Sequence, residues 1–174
     1  MSEAEQTLAI LFADICGSTA LFETTGNLAA IEIVGSCLDQ LASVASEEGG
    51  RVVRSKGDDV LCTFVTAGAA FEAAIRMTHL DFRNDLEIHV GVHLGPLISA
   101  RGDVFGDAVN VAARILKLAN PGEILLSEDV RTQLAPSDQQ KLRLLDRRSL
   151  KGKPDPIKIY TVAEVDSEAT QFYP

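Results

Sequence analysis

Cysteine is scarce: Cys16, Cys37 and Cys62 are an odd number, and no two have the C-x-x-C spacing of a zinc or redox motif. They are expected to be buried small hydrophobes in a reducing compartment, which excludes a disulfide-stapled scaffold. Positive charge is also short. Sixteen Lys and Arg against 25 Asp and Glu give a net charge of −9, so no broad nucleic-acid face is expected. No run of about 18 apolar residues occurs, and no membrane insertion by this segment is expected. The opening "MSEAEQT" is polar and acidic, unlike a signal peptide, so the expected location is cytoplasmic. Internal repeats and long linkers are absent as well.

What remains is an ordinary globular composition. The 174 residues are 46% hydrophobic and 24% charged, enough for one domain with a sizeable core. An acidic chain can still hold a phosphorylated small molecule where a few cations, a helix N-terminus or a metal offset the charge.

Hydrophobic periodicity orders the elements. "TLAILFAD" (7–14) is an apolar run ending on a carboxylate, a buried strand. "GSTALFETTG" follows, with a helical turn beginning near Ser18. From Asn27 to Glu48, Leu28, Ile31, Val34, Leu38, Leu41 and Val44 recur at three- and four-residue steps, one apolar helix face stopped by Gly49-Gly50. "RVVRSKGDDVLCTFV" (51–65) reads as a β-hairpin around Gly57-Asp58. Residues 66–80 return to helical spacing. A strand over 86–100, broken at Gly95-Pro96, precedes a helix over 106–120. "EILLS" is a strand, "EDVRTQL" a short helix, and 141–165 a pair of strands around a basic loop. The order β-α-β-β-α-β is that of an α+β, ferredoxin-like (split-βαβ) core with a C-terminal extension. Its expected limits are a tail over 1–6, a domain over 7–165, and a tail or the start of a linker over 166–174.

Several residue groups invite chemistry. Asp14 ends a strand and Asp58 sits at the hairpin turn. With the first strand beside the first hairpin strand, the two carboxylates would meet and repel unless a cation lay between them. Hard divalent ions, Mg²⁺ or Mn²⁺, suit such oxygen ligands. "ICGST" (15–19) enters a helical turn whose free N–H groups suit a phosphate. Asn110 and Arg114 are four apart on one helix, hence on one face, and arginine offers a fork of donors for phosphate oxygens. Asp103 lies on the loop before them. "SLKGKPDP" (149–156) clusters Lys151 and Lys153 in an otherwise acidic chain. Arg54 and Lys56 share a strand face if that strand is regular. His89 and His93 also share a face, with nothing acidic beside them at metal-ligand spacing, and read as core or sheet-face histidines. Singly, each group has a plain structural explanation: a cap, a turn, a solvated surface cation.

Together, "LFADICGST", "VVRSKGDDVLCTF", "VGVHLGP", "DVFGDAVNVAARI" and "LKGKPDPIKIY" resemble, in order and spacing from about residue 7 to 163, the class III nucleotidyl cyclase catalytic domain, most of all that of bacterial adenylate cyclases. The resemblance implies a homodimer with two active sites shared across the interface, binding ATP and two divalent cations, Mg²⁺ or Mn²⁺. It implies that Asp14 and Asp58 hold the metals, with the Ile15 carbonyl as a further ligand. Cys16, Gly17, Ser18 and Thr19 would lie against the phosphates. Asp103 would read the purine's exocyclic group, Asn110 and Arg114 the ribose and reacting phosphate, and Lys151 the terminal phosphates, with Lys153 a near alternative.

The implied reaction is attack of the ribose 3′-hydroxyl on the α-phosphate, giving 3′,5′-cyclic AMP and pyrophosphate. It needs no protein nucleophile, in keeping with the lack of any Ser-His or Cys-His signature. A carboxylate at 103 accepts from the adenine amino group but faces the carbonyl oxygen of guanine, which favours ATP. One position departs from the family pattern. The base-reading lysine is replaced by Arg54, a planar fork not interchangeable with it, and Lys56 is the neighbouring alternative. Guanylate cyclase activity on the same fold is the nearest rival. A non-catalytic nucleotide-binding or dimerisation module comes next, though it predicts loss of the metal aspartates. A diguanylate cyclase is less consistent, lacking counterparts to "DAVNVAARI" and "LKGKPDP". No sensor segment is recognisable, so regulatory domains would lie outside this segment.

Overall fold

The computed structural model describes residues 4–148 and 156–163. Its elements in chain order are β1 (Glu5–Cys16), α1 (Ser18–Thr25), α2 (Asn27–Glu47), β2 (Arg51–Lys56), β3 (Asp59–Phe64) and α3 (Ala67–Thr78). A 3-10 turn at Arg83–Asp85 follows, then β4 (Glu87–Ala100), β5 (Asp103–Phe105), α4 (Asp107–Leu118), β6 (Ile124–Ser127), α5 (Glu128–Arg131), α6 (Pro136–Gln139), β7 (Leu142–Arg148) and β8 (Ile157–Val162). The strands form one mixed sheet in the order β2-β3-β1-β4-β6-β8-β7, with β5 added along β4. This is the expected α+β architecture: a βαββαβ core extended by β6 to β8.

The neighbour of β1 differs from expectation. It is β3, the second hairpin strand, with β2 outside it. Burial explains the order. β3 carries five consecutive buried residues, Val60 to Phe64, whereas most of β2 is exposed, with Arg51, Arg54 and Lys56 charged. The apolar strand goes inside and the charged one blunts the edge.

Gly95-Pro96 does not break β4, which runs unbroken for 14 residues. On the edge away from β1, β6 pairs with Val90–Val92 and β5 with Ile98–Ala100. Pro96 falls between these two segments, where that edge needs no further donor.

Two helical layers sandwich the sheet. On one face α2 and α3 pack on Ala9, Leu11, Ala13 and Ile15; on the other α4 packs on Ile10, Phe12 and Leu61. The buried stripe of α2 is Ala30, Ile33, Val34, Cys37, Leu41, Val44 and Ala45. Leu28 (84% exposed) and Ile31 (58%) point outward, contrary to expectation. The inward arc is rotated because small Ala30, Cys37 and Ala45 let the helix sit close to the sheet. By length and composition α2 is apolar enough to cross a bilayer, with a mean hydropathy of 1.4, a feature that counting consecutive apolar residues missed. Here it is a core helix. α4 lies equally close to β4, because Gly91 and Gly95 present no side chain to Leu116 and Ala108.

Candidate active site

The ends of three strands and one tight turn build the site. Asp14, near the end of β1, lies directly opposite Asp59 on β3 and His89 on β4. Paired residues in a sheet project from the same face, here the α4 side that also carries Phe12 and Leu61. Asp58 occupies the two-residue turn with Gly57, whose φ of 67° supplies the left-handed conformation the turn requires. Two bonds hold the turn against β1. The Ile15 N–H donates to the Asp58 carbonyl (2.9 Å), and the Ser18 hydroxyl donates to Asp58 Oδ2 (3.0 Å). One carboxylate oxygen from each of Asp14, Asp58 and Asp59 lies within 4.8 Å of the others.

Three half-buried carboxylates at this spacing are in electrostatic conflict. Burial pushes the Asp59 carboxyl up, Asp14 and Asp58 add to the rise, and Arg54 opposes it. A divalent cation among them would remove the conflict. An all-oxygen donor set suits Mg²⁺ or Mn²⁺ rather than a soft metal, so the residues fit the implied ions.

His89 faces this cluster. Its Nε2 is 3.0 Å from Asp14 Oδ2 and its Nδ1 is 2.9 Å from the Ala119 carbonyl oxygen. Both partners are acceptors, so the protonated ring donates to both and the neutral ring to one of them. The Asp14 hydrogen bond accordingly raises the His89 pKa, burial opposes the rise, and the Ala119 bond adds to it. His93 lies on the same face, its Nδ1 2.7 Å from the Ser127 hydroxyl.

The nucleobase candidates form a second group. Between the turn and a bulge after Val52, Arg54 and Lys56 pair with Leu61 and Asp59, and so share the site face as expected. Arg54 Nη1 lies 3.4 Å from both carboxylate oxygens of Asp103, and its guanidinium is 6.0 Å above the Phe12 ring. Asp103 opens β5 rather than lying in a loop, and its Oδ1 accepts from the Val104 N–H (2.8 Å).

Asn110 and Arg114 stand one turn apart on α4, the first exposed and the second half-buried. Cys16 is half-exposed rather than buried. Burial pushes its thiol up, with Asp14, Glu87 and Asp58 adding to the effect. Gly17 precedes α1 with a φ of 79°, and Thr19 is exposed in its first turn. Lys151 and Lys153 lie outside the described residues.

Residues 1–164 match the family model of the adenylate and guanylate cyclase catalytic domain. The chain belongs to that family. An adenylate cyclase of Streptomyces coelicolor is 31% identical over 142 residues, covering 78% of this chain and 37% of the relative. An adenylate cyclase of Glutamicibacter nicotianae is 32% identical over 119 residues, covering 67% and 30%. The chain thus spans about a third of the length of these relatives. Among solved structures, an adenylate/guanylate cyclase/hydrolase from Silicibacter pomeroyi superposes with a TM-score of 0.78 at 26% identity, covering 92% of this chain and 98% of that one. The fold is that of the class III cyclases.

Two residues of the cyclase domain were missed in the sequence: Asp59, which had no assigned role, and His89, read as a core or sheet-face histidine with nothing acidic beside it. Strand register holds the signal for both. A two-residue turn makes Asp59 the first residue of β3, and antiparallel pairing of β1 with β4 sets His89 opposite Asp14, 75 positions away in sequence.

Proposed function

We propose that this cyclase domain is an adenylate cyclase, converting ATP to 3′,5′-cyclic AMP and pyrophosphate at two sites shared across a homodimer, with two divalent cations, Mg²⁺ or Mn²⁺, at each. The observation that carries this reading is the convergence of Asp14, Asp58 and Asp59 oxygens within 4.8 Å at the mouth of the sheet. Arg54 opposes the rise at Asp59 without cancelling it, which leaves a deficit of positive charge that a cation would fill.

Asp14 and Asp58 hold the ions, helped by the Ile15 carbonyl. When bound, the ions acidify the ribose 3′-hydroxyl and withdraw charge from the phosphates. The chain does the rest by positioning. Cys16 to Thr19 present backbone N–H groups to the phosphates. Asn110 orients the ribose. Arg114 is a fixed counter-charge for the α-phosphate as negative charge builds during attack. Lys151 draws the terminal phosphates in line for departure.

Asp103 accepts from the adenine amino group and would repel the guanine carbonyl oxygen, which supports ATP over GTP. Arg54 donates to the adenine ring nitrogen, with Lys56 beside it. The adenylate cyclase names of relatives about 30% identical support the same choice.

The deciding experiment incubates purified protein with ATP or GTP and Mn²⁺ or Mg²⁺ and measures both cyclic nucleotides. Cyclic AMP in excess is expected, and none from Asp58→Ala. Predominant cyclic GMP makes it a guanylate cyclase; nucleotide binding without turnover makes it a non-catalytic module. Shared sites predict that mixing inactive Asp58→Ala with inactive Arg114→Ala restores about a quarter of wild-type activity, since half the dimers carry one intact site.

A further inference from the structure

The hydrogen bonds around His89 form a chain: the Ala119 carbonyl at the end of α4, the imidazole, then Asp14 Oδ2. The ring is 15% exposed and Asp14 29%, so the contact is shielded from solvent. Among the described residues, His89 is the one side chain that hydrogen-bonds Asp14. Asp58, by contrast, is held by Ser18 and by the Ile15 backbone bond. Each of the two carboxylates thus has its own anchor.

We propose that His89 is the positioning residue for Asp14. Its Nε2–H fixes the Asp14 carboxylate through Oδ2 so that Oδ1 is presented to a divalent cation, while Nδ1–H on the Ala119 carbonyl fixes the ring. An unanchored Asp14 would swing away from Asp58 and Asp59 to relieve the repulsion described above. His89 prevents this. The Ala119 bond adds a constraint, because the same imidazole ties the Asp14 strand to the end of α4, the helix that carries Asn110 and Arg114. The proposal rests on the reading of Asp14 as a metal ligand, and partners of this kind typically change metal affinity by about 10- to 100-fold.

The two ring nitrogens can be tested separately. Asparagine places an amide near Nδ1 and keeps the Ala119 bond; glutamine reaches the Nε2 position and keeps a donor for Asp14. Mn²⁺ binding is measured on the full chain by electron paramagnetic resonance of the free ion, without nucleotide. His89→Asn should weaken Mn²⁺ binding by about tenfold or more, while His89→Gln stays within about threefold of wild type. In turnover assays at saturating metal, the KM for ATP should be unchanged in His89→Gln. Equal losses in both variants, no loss in either, or a raised KM for ATP at unchanged Mn²⁺ affinity would each overturn the role.

If His89→Asn fails to fold, wild-type protein with ¹⁵N-labelled histidine decides. Adding Mg²⁺ should move the His89 Nε2 resonance more than those of His79 and His93, and equal movement of all three overturns the proposal. Absence of Mn²⁺ binding to wild type would overturn the metal reading itself, and the proposal with it. Binding that ignores His89 would overturn the positioning role alone.

Discussion

Arg54 and Asp103 bridge two strands that are not neighbours in the sheet, with Nη1 3.4 Å from each carboxylate oxygen. Both side chains are more than a third exposed (45% and 36%), so the pair adds only about 0.2–1 kcal/mol to stability. Its position makes it a candidate reader of the base instead. Asp103→Asn exchanges an acceptor for an amide that can also donate to a guanine carbonyl. The product ratio, measured with ATP and GTP at equal concentration, should shift toward cyclic GMP by on the order of tenfold, with little change in melting temperature. An unchanged ratio would remove Asp103 from base selection.

Asp59 should be a stability liability in the metal-free protein. Burial and the neighbouring Asp14 raise its pKa above the ordinary 3.8. A raised carboxyl favours folding most below its unfolded pKa, and that contribution is lost as pH rises from about 3.8 through the folded value. At pH 7 Asp59→Asn should therefore raise the melting temperature of the metal-free protein. The gain should vanish below about pH 3.8, where the wild-type side chain is already neutral. Saturating Mg²⁺ should also shrink it. Calorimetry at two pH values, with and without Mg²⁺, checks all three effects.

The periodic elements of this domain were legible in the sequence: β1, the long α2, the Gly57-Asp58 hairpin and α4 stand close to where spacing placed them. The errors were of context. Leu28 and Ile31 continue the apolar spacing of α2 yet face outward, because that pattern does not say which of two adjacent stripes will meet the sheet. Pro96 resembles a strand break until the edges of β4 are known to be paired on either side of it. At the site, Asp14 and Asp58 were visible as strand-end and turn carboxylates. The bond from His89 to Asp14 was not, since it depends on the register between strands 75 residues apart.

The three thiols should separate by reactivity. Burial pushes Cys37 and Cys62 up to about 12, leaving them almost wholly protonated at pH 8 and closed to reagent. Cys16 is half-exposed, and the nearby Asp14 and Asp58 are among the groups that raise its pKa. Iodoacetamide should label Cys16 first, with the other two reacting only on unfolding. Mg²⁺ without nucleotide should speed Cys16 labelling by offsetting those carboxylates, and mass spectrometry of the digested protein reads the order. Labelling of Cys62 ahead of Cys16 would contradict the burial described here.

Gly91 should be the least replaceable glycine of the sheet. A Cβ there would lie 2.6 Å from the Leu116 backbone nitrogen and 2.8 Å from its Cα. Backbone cannot rotate away as a side chain can, so α4 would have to lift off β4. Gly91→Ala should cost about 1–3 kcal/mol, lowering the melting temperature by roughly 2–12 °C for a domain of this size. Activity should fall further than stability alone explains, because α4 also carries Asn110 and Arg114, and a displacement of about 1 Å can cost on the order of 100-fold in rate. Gly35→Ala is the control. It lies inside α2 with nothing within 4 Å of a new Cβ, and should raise stability by about 0.5–1 kcal/mol while leaving turnover unchanged. If Gly91→Ala melts and turns over like Gly35→Ala, α4 is not held at the close approach that places Asn110 and Arg114.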